Sequence, residues 1–281
     1  MSKVTVITDS TAYIPPDLVN EFNITVVPLE VIWGEETFRD GVDISPNEFY
    51  TRLKTATIMP STSQVTIMSF QELFSHHLEQ GRGIICILIS SKLSGTVNSA
   101  SQAKEAFPNA PIEISDSYMT SMALGFQALS VAKAASQGAS FEECVDIARN
   151  ARERTGAVFA VETLEFLHRG GRIGGASRLL GTALNIKPIL HIEDGQVDAV
   201  EKVRTRQKSL SRIVEIVEER TEGKRPLRIA VVHANAEADA QAVLEQTKKL
   251  NAEEYILSHV SPVIGTHVGP GTVGITYMAG M

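Results

Sequence analysis

Short apolar runs alternate with amphipathic segments through the first half of the chain. The uninterrupted apolar run Ile84–Ile89 has the length of a strand and is typical of a central strand in a parallel sheet, buried on both faces. Val4–Ile7 and Ile112–Ile114 predict further strands, and Ile24–Pro28 and Leu29–Trp33 predict extended segments. Such alternation predicts a three-layer α/β/α arrangement, a parallel sheet covered by helices on both faces.

Capping signals locate the helices between these strands. In a capping box, a serine and a glutamate three residues later each bond the other's backbone N–H group. Ser45 opens such a box with proline at the first helical position, and Ser69 and Ser140 open two more. The predicted helices run from Ser45 to about Lys54, from Ser69 to Gly81, onward from Ser94-Gly95-Thr96, over about Thr120–Gln137 and over about Ser140–Arg152.

The pattern changes near Gly156. Asp194-Gly195 is a turn dipeptide between two alternating segments and predicts a β-hairpin. The stretch Arg169–Gly175 is glycine-rich, and a helix is expected to follow it to about Asn185. Strands at about 158–161, 228–233, 254–260 and 272–278, with helices at about 206–222 and 236–250, predict a two-layer lobe with a mixed sheet. We therefore expect two lobes, residues 1–155 and 156–281, with a ligand site between them.

Composition narrows the function classes. The chain has 281 residues and a formal net charge of −7, and acidic proteins seldom bind nucleic acid. No apolar run approaches the roughly 20 residues of a membrane-spanning helix, and no signal peptide is visible. Cys86 and Cys144 lie in apolar patterns and are expected to be buried free thiols. Together these features predict a cytoplasmic protein without stable membrane insertion.

Familiar catalytic and cofactor motifs are absent or out of context. Gly269–Gly274 matches the dinucleotide pattern, but strand residues rather than a helix follow it, so a tight turn is expected. There is no P-loop and no nucleophile elbow. His76-His77 lacks the spacing of a zinc helix, and no Cys/His cluster exists. We expect no metal and no cofactor.

Small hydroxyl residues follow several predicted strands or precede helices. They lie in Thr8–Thr11, Pro60–Gln64 and Ser90–Thr96, and each segment alone is typical of helix capping. If these junctions meet at one edge of a parallel sheet, their hydroxyls, backbone N–H groups and helix dipoles suit an anion such as a carboxylate. His267 lies in a glycine-rich segment, where a lone histidine is commonly a satisfied structural residue.

Basic residues cluster in two places. Arg169 and Arg172 flank two glycines, and Lys202–Arg212 carries cations without an acidic residue. A solvated surface is the simpler interpretation. The alternative is a docking site for an acidic partner or a phosphate. We predict that Arg172 and Arg204 are the main docking residues and that Arg169 and Arg206 are secondary ones.

A set of short segments, in a fixed order, extends over nearly the whole length of the chain. They are Ile7–Thr11, Phe38–Asp43, Ser61–Gln64, Ser94-Gly95-Thr96, Asp116-Ser117, Gly170–Ile173, Asn185–Ile189 and His267–Gly271. This ordered set resembles the DegV family of fatty-acid-binding proteins. Two positions differ from the pattern of that family, since Val65 stands where proline is frequent and Tyr13 stands where aspartate is common.

The resemblance implies a two-lobed α/β fold that holds one long-chain fatty acid. It also implies a carrier without catalysis of its own, similar to the acyl-carrying subunit of a bacterial fatty acid kinase. A separate, dihydroxyacetone-kinase-like subunit would bind ATP and phosphorylate the carboxyl group for phospholipid synthesis. By residue match, Thr62 and Ser94 would hydrogen-bond the carboxylate, with His267 nearby.

An enzyme remains the alternative. Ser94 as nucleophile and His267 as base would make a stand-alone acyl hydrolase, although no residue that would orient the histidine is evident. The carrier is favoured because the sequence also lacks a nucleophile elbow. In a carrier the buried acyl tail supplies the affinity, at about 0.8 kcal/mol per methylene. The head-group then needs only to be satisfied by hydrogen bonds.

Overall fold

The computed structural model describes residues 3–181 and 186–281. The strands are β1 (Val4–Asp9), β2 (Thr25–Val27), β3 (Glu30–Trp33), β4 (Glu36–Arg39), β5 (Ser61–Ser63), β6 (Gly83–Leu88), β7 (Ile112–Asp116), β8 (Thr155–Ala160), β9 (Lys187–Glu193), β10 (Gln196–Val203), β11 (Leu227–His233), β12 (Glu254–His259) and β13 (Val273–Ala279). The helices are α1 (Pro16–Glu21), α2 (Pro46–Leu53), α3 (Ile67–Glu79), α4 (Thr96–Lys104), α5 (Ser121–Ser136), α6 (Phe141–Arg154), α7 (Glu165–Arg169), α8 (Arg206–Thr221), α9 (Glu237–Thr247) and α10 (Pro262–Val268).

The first sheet is parallel, as the sequence predicts. Its strand order is β2-β1-β6-β7, and the apolar run forms the central strand β6, which is buried throughout. Gly83 in β6 faces Phe141 of α6, whereas Thr5, which pairs with the next residue Ile84, contacts His77 of α3. Successive strand residues point to opposite faces, so α3 and α6 cover opposite sides of the sheet.

The second sheet is mixed and has the order β10-β9-β8-β13-β11-β12. The predicted hairpin is present, with Asp194-Gly195 joining antiparallel β9 and β10. Apolar side chains of α8 and α9, including Ile213 and Val243, pack on one face of this sheet. These features confirm the predicted fold class, while the lobe boundary near residue 155 stays a prediction.

Helix α5 lies between the two sheets. It contacts β1 and β6 of the parallel sheet as well as β8, β11 and β13 of the mixed sheet. Twelve of its residues are buried, around its whole circumference. A helix that is apolar on all sides is stable only when it is enclosed. Helix α5 therefore joins the two halves of the chain into one continuous apolar core, whose close packing resists deformation.

Two local predictions differ from the structure. Helix α3 begins at Ile67 rather than at Ser69, because the Thr66 hydroxyl accepts the Ser69 N–H at 3.1 Å and so caps the helix earlier. After the glycine-rich stretch the chain forms a 3₁₀ turn over Gly174–Leu179, and the end of the helix expected there, residues 182–185, lies outside the described residues. Within the described ranges, no helix is long and apolar enough to cross a membrane.

A small antiparallel sheet, ordered β4-β3-β5, was not predicted. Its edge strand β5 consists of Ser61, Thr62 and Ser63, which carry no apolar alternation. The strand forms because β3 offers it a backbone ladder, in which Val31 pairs with Thr62. Edge strands this short depend on their partner more than on their own propensity. This pairing fixes the position of Thr62.

Candidate functional site

An apolar cavity of about 460 Å³ lies among the parallel sheet, the mixed sheet and α10. Its volume falls within the roughly 300–1,000 Å³ of small-molecule sites. Leu29 and Ile89 line it from the first half of the chain, and Val158, Val232 and Ile275 line it from the mixed sheet. Because most of the wall is aliphatic, the cavity suits a long apolar ligand.

Thr62 and His267 meet at the wall of this cavity. The Thr62 Oγ1 atom lies 2.9 Å from His267 Nε2, although the two residues are far apart in sequence. Burial, reinforced by the positive charge of Arg172, lowers the pKa of His267 to about 4, so the ring is neutral at pH 7. Among described residues, His267 Nδ1 has no hydrogen-bond partner, and Gly170 lies against it so closely that a Cβ would overlap it.

Ser94 lies on a second wall of the cavity, in the loop between β6 and α4. Its hydroxyl is 2.9 Å from Thr96 Oγ1 and accepts the Thr96 N–H at 3.3 Å. The Gln64 side chain joins this loop to β5, because its Nε2 donates to Ser99 Oγ at 2.9 Å while its carbonyl oxygen packs on Gly95. A side chain at position 95 would push Gln64 away, so glycine maintains the contact between the Thr62 and Ser94 segments.

The third hydroxyl segment, Thr8–Thr11, does not line the apolar cavity, contrary to the expected convergence of all three. Instead it surrounds a buried pair of carboxyl groups. Asp9 accepts the Ile89 N–H at 2.6 Å, and burial raises the pKa of Asp9 to about 6. Asp40 accepts the Ser10 hydroxyl at 2.8 Å, and burial raises the pKa of Asp40 to about 7. This segment supports the fold beside the site.

The four predicted docking arginines occupy different environments. Arg172 lines the apolar cavity, and its guanidinium donates to the carbonyl oxygens of Leu93 at 3.1 Å and Gly170 at 2.6 Å. Arg169 is exposed and pairs with Glu165 at 2.7 Å. Arg206 pairs with both Glu162 and Asp239, which leaves it less available to a partner. Arg204 is exposed.

A second, smaller cavity of about 290 Å³ adjoins the first, and we name it the arginine cavity. Arg169 and Arg172 line it together with Thr62 and His267, so it shares the Thr62–His267 pair with the apolar cavity. Arg204 and Arg206 line neither cavity. The structure thus brings Thr62, His267, Ser94 and Arg172 together and leaves Arg204 and Arg206 apart from them.

The remaining sequence features have structural explanations. Cys86 and Cys144 are buried and free, as expected. His77 packs against hydroxyls of the parallel sheet, at 3.5 Å from Thr5 and 3.4 Å from Thr25. In the part of the chain that is described, no three His, Cys, Asp or Glu side chains form a group that could hold a metal ion.

Sequence reasoning missed two polar residues in the cavity wall, Thr120 and Ser121. They lie where the chain passes from β7 to α5, and both line the apolar cavity. The sequence placed them simply at the start of a helix, where threonine and serine are common. Only the structure shows that these two side chains do not cap the helix, because neither of them makes a capping hydrogen bond.

Comparison with known proteins gives one consistent family. A model described as "Uncharacterised protein, DegV family" matches residues 3–280. A DegV domain-containing protein of Halalkalibacterium halodurans is 36% identical over 279 residues, covering 99% of each chain. The structure of a fatty-acid-binding DegV family protein from Thermus thermophilus superposes with a TM-score of 0.94 at 32% identity, covering 99% of this chain and 100% of that one. The structure of DegV, a fatty acid binding protein from Bacillus subtilis, superposes with a TM-score of 0.89 at 35% identity, covering 99% of this chain and 100% of that one.

Proposed function

Because the chain belongs to the DegV family, we propose that it binds one long-chain fatty acid in the apolar cavity and acts as a carrier rather than an enzyme. The observation that carries the proposal is the cavity itself. It combines an aliphatic wall with the Thr62–His267 pair and Ser94. Related proteins of the same fold that are described as fatty-acid-binding support the choice of ligand.

The tail supplies the affinity in this proposal. Burying about fourteen methylenes contributes on the order of 11 kcal/mol at about 0.8 kcal/mol each. Association costs of at least about 4 kcal/mol reduce that gain. The tail therefore contributes a net gain of at most about 7 kcal/mol, which corresponds to a Kd of several micromolar or weaker before any contact to the head-group is added.

The head-group is held by hydroxyl donors in this proposal. If the neutral His267 carries its proton on Nε2, it donates to Thr62 Oγ1, and the Thr62 hydroxyl hydrogen is free for the carboxylate. Ser94 would supply the second donor, and the nearby Arg172 guanidinium adds a favourable field. A buried carboxylate is tolerated only when such donors satisfy it.

The same geometry disfavours the acyl hydrolase. A Ser–His catalytic pair needs the serine hydroxyl on the histidine nitrogen, whereas His267 Nε2 contacts Thr62 and the Ser94 hydroxyl contacts Thr96. No described residue bonds His267 Nδ1 to orient the ring as a base. Incubation of the pure protein with acyl esters tests this point, because only a hydrolase releases free acid.

The arginine cavity supports presentation of the carboxylate to a second protein. We infer that a separate ATP-dependent kinase approaches there, with Arg169 and Arg172 meeting its phosphates and the more distant Arg204 contacting its surface. Thr62 and His267 border both cavities, so a carboxylate beside them would be accessible from the arginine side.

Mass spectrometry of the purified protein tests ligand binding most directly. Native spectra should show the added mass of about one long-chain fatty acid per chain, which denaturing spectra lose. Extraction should recover the same acid. An empty chain in both spectra, together with no uptake of added fatty acid, would refute the proposed ligand.

A further inference from the structure

The wall of the apolar cavity contains two hydroxyl groups that have no hydrogen-bond partner among the described residues. They belong to Thr120 and Ser121, hereafter the hydroxyl pair. Thr120 is 9% exposed and Ser121 is 7% exposed, and both hydroxyl oxygens are themselves buried. Buried polar groups in folded proteins are almost always paired, and an unpaired one calls for a specific explanation.

The other hydroxyls of the same wall are paired. Thr272 donates to Val268 O at 3.0 Å, and Thr276 donates to Ala230 O at 3.3 Å. Ser94 and Thr62 are paired with Thr96 and His267, as described above. A threonine beside an aliphatic ligand normally donates to a backbone carbonyl in this way, because the cavity then remains apolar. The hydroxyl pair departs from this arrangement.

Two further features point to a ligand at the hydroxyl pair. Helix α5 begins there without a side-chain cap, so N–H groups of its first turn lack a side-chain acceptor. Ser121 also has a φ of +54°, in the left-handed region that residues with a side chain seldom adopt. Rotation about χ1 moves a serine or threonine hydroxyl between three staggered positions, so both can turn toward a ligand.

We propose that the hydroxyl pair is a second polar subsite, which accepts a hydroxyl group carried on the acyl chain of the ligand. This inference rests on the proposed function and specifies its substrate class as hydroxylated long-chain fatty acids. A ligand hydroxyl both donates and accepts, so it can pair with a side-chain hydroxyl and with an N–H group at the start of α5, where no side chain caps the helix. A second carboxylate fits less well, because Arg172, the charged residue of the wall, belongs to the head-group site beside Thr62 and His267 in our proposal.

Binding of octadecanoic acid and of a series of hydroxyoctadecanoic acids, with the hydroxyl at different carbons, tests the subsite. Isothermal titration calorimetry should find at least one positional isomer that binds no more weakly than octadecanoic acid. Thr120→Val combined with Ser121→Ala should weaken that isomer about tenfold, the effect of one buried neutral hydrogen bond, without weakening octadecanoic acid. Ser121→Ala alone provides a smaller change if the double variant folds poorly.

Thr276→Val is the matched control, since it removes a hydroxyl from the same wall that is already bonded to Ala230. It should change the affinities for both acids by the same factor. The inference is overturned if every isomer binds the wild-type protein more weakly than octadecanoic acid does, or if the double variant binds the preferred isomer as tightly as the wild-type protein. Either result would assign the hydroxyl pair to bound water. If no long-chain fatty acid binds, with or without a hydroxyl group, the proposed function fails and the subsite with it.

Discussion

Replacing Gly170 with alanine tests whether His267 holds the Thr62 hydroxyl in position. Gly170 has φ −74° and ψ −8°, a backbone conformation that alanine adopts without strain. Its added Cβ, however, would overlap His267 Nδ1. The ring must therefore move, and the 2.9 Å contact between His267 Nε2 and Thr62 Oγ1 is lost. The perturbation acts on the site without replacing any residue that contacts the ligand in our proposal.

The magnitude follows from the hydrogen bond between the Thr62 hydroxyl and the carboxylate, which weakens when the histidine no longer orients that hydroxyl. A weakening of about 0.5–1.5 kcal/mol would raise the Kd for a long-chain fatty acid about 2- to 13-fold. Gly171→Ala is the control, because a Cβ added at Gly171 would meet no atom within 4 Å, although the residue has φ +69°. It should lower the free energy of unfolding by roughly 1 kcal/mol and leave the Kd unchanged.

A double-mutant cycle identifies the route of the effect. Fluorescent fatty-acid displacement would measure the Kd of Gly170→Ala, His267→Ala and the combination. If alanine at position 170 acts by displacing the ring, it should have little further effect once the ring is absent. Additive effects of the two substitutions, or an unchanged Kd in Gly170→Ala, would refute the reasoning.

Three further predictions follow from the site and its surroundings. Thr62→Val combined with Ser94→Ala should weaken fatty-acid binding by a few kcal/mol, since each lost donor to a charged group costs about 1–3 kcal/mol. The circular dichroism spectrum should stay unchanged. Wild-type affinity in this double variant would show that neither hydroxyl holds the carboxylate. Burial raises the pKa of Asp40 in the folded protein to about 7, so between about pH 5 and 7 the folded state binds a proton that the unfolded state has lost. The free energy of unfolding should therefore fall as the pH rises over this range. Urea titrations at several pH values should find a smaller fall in Asp40→Asn. Arg204→Ala should leave fatty-acid affinity intact yet reduce acyl-phosphate formation with the cognate kinase, as should added salt; full turnover would make Arg204 an ordinary surface residue.

Local signals in the sequence were sufficient for most of the secondary structure. The predicted strand β6 and the predicted capping boxes at Ser45 and Ser140 are all present in the structure. Each of them depends on residues that are close together in the chain. The Asp194-Gly195 turn is similar, since both residues have the positive φ that the tight hairpin requires. The alternation of these elements was enough to predict a parallel sheet followed by a mixed one.

The sequence did not predict the elements that depend on partners far away in the chain. Strand β5 has no strand-like pattern of its own and exists because β3 pairs with it. Helix α10, which carries His267, is short and contains Gly265, a residue with poor helix propensity. It is stabilised by its surroundings, since Gly265 packs directly against Tyr50 of α2. Such contacts cannot be read from a local window of residues.

The sequence by itself determined which residue types are available for a head-group site, and its ordered segments identified Thr62, Ser94 and His267 as candidates. Only the tertiary structure decided which of them meet. It brings Thr62 to His267 and leaves Arg204 and Arg206 away from both cavities. It also leaves Thr120 and Ser121 without partners among the described residues, although a helix start normally satisfies such hydroxyls. The physical reason is that hydrogen-bond partners and cavity walls are properties of three-dimensional neighbours, whereas capping, turns and periodicity are properties of the chain.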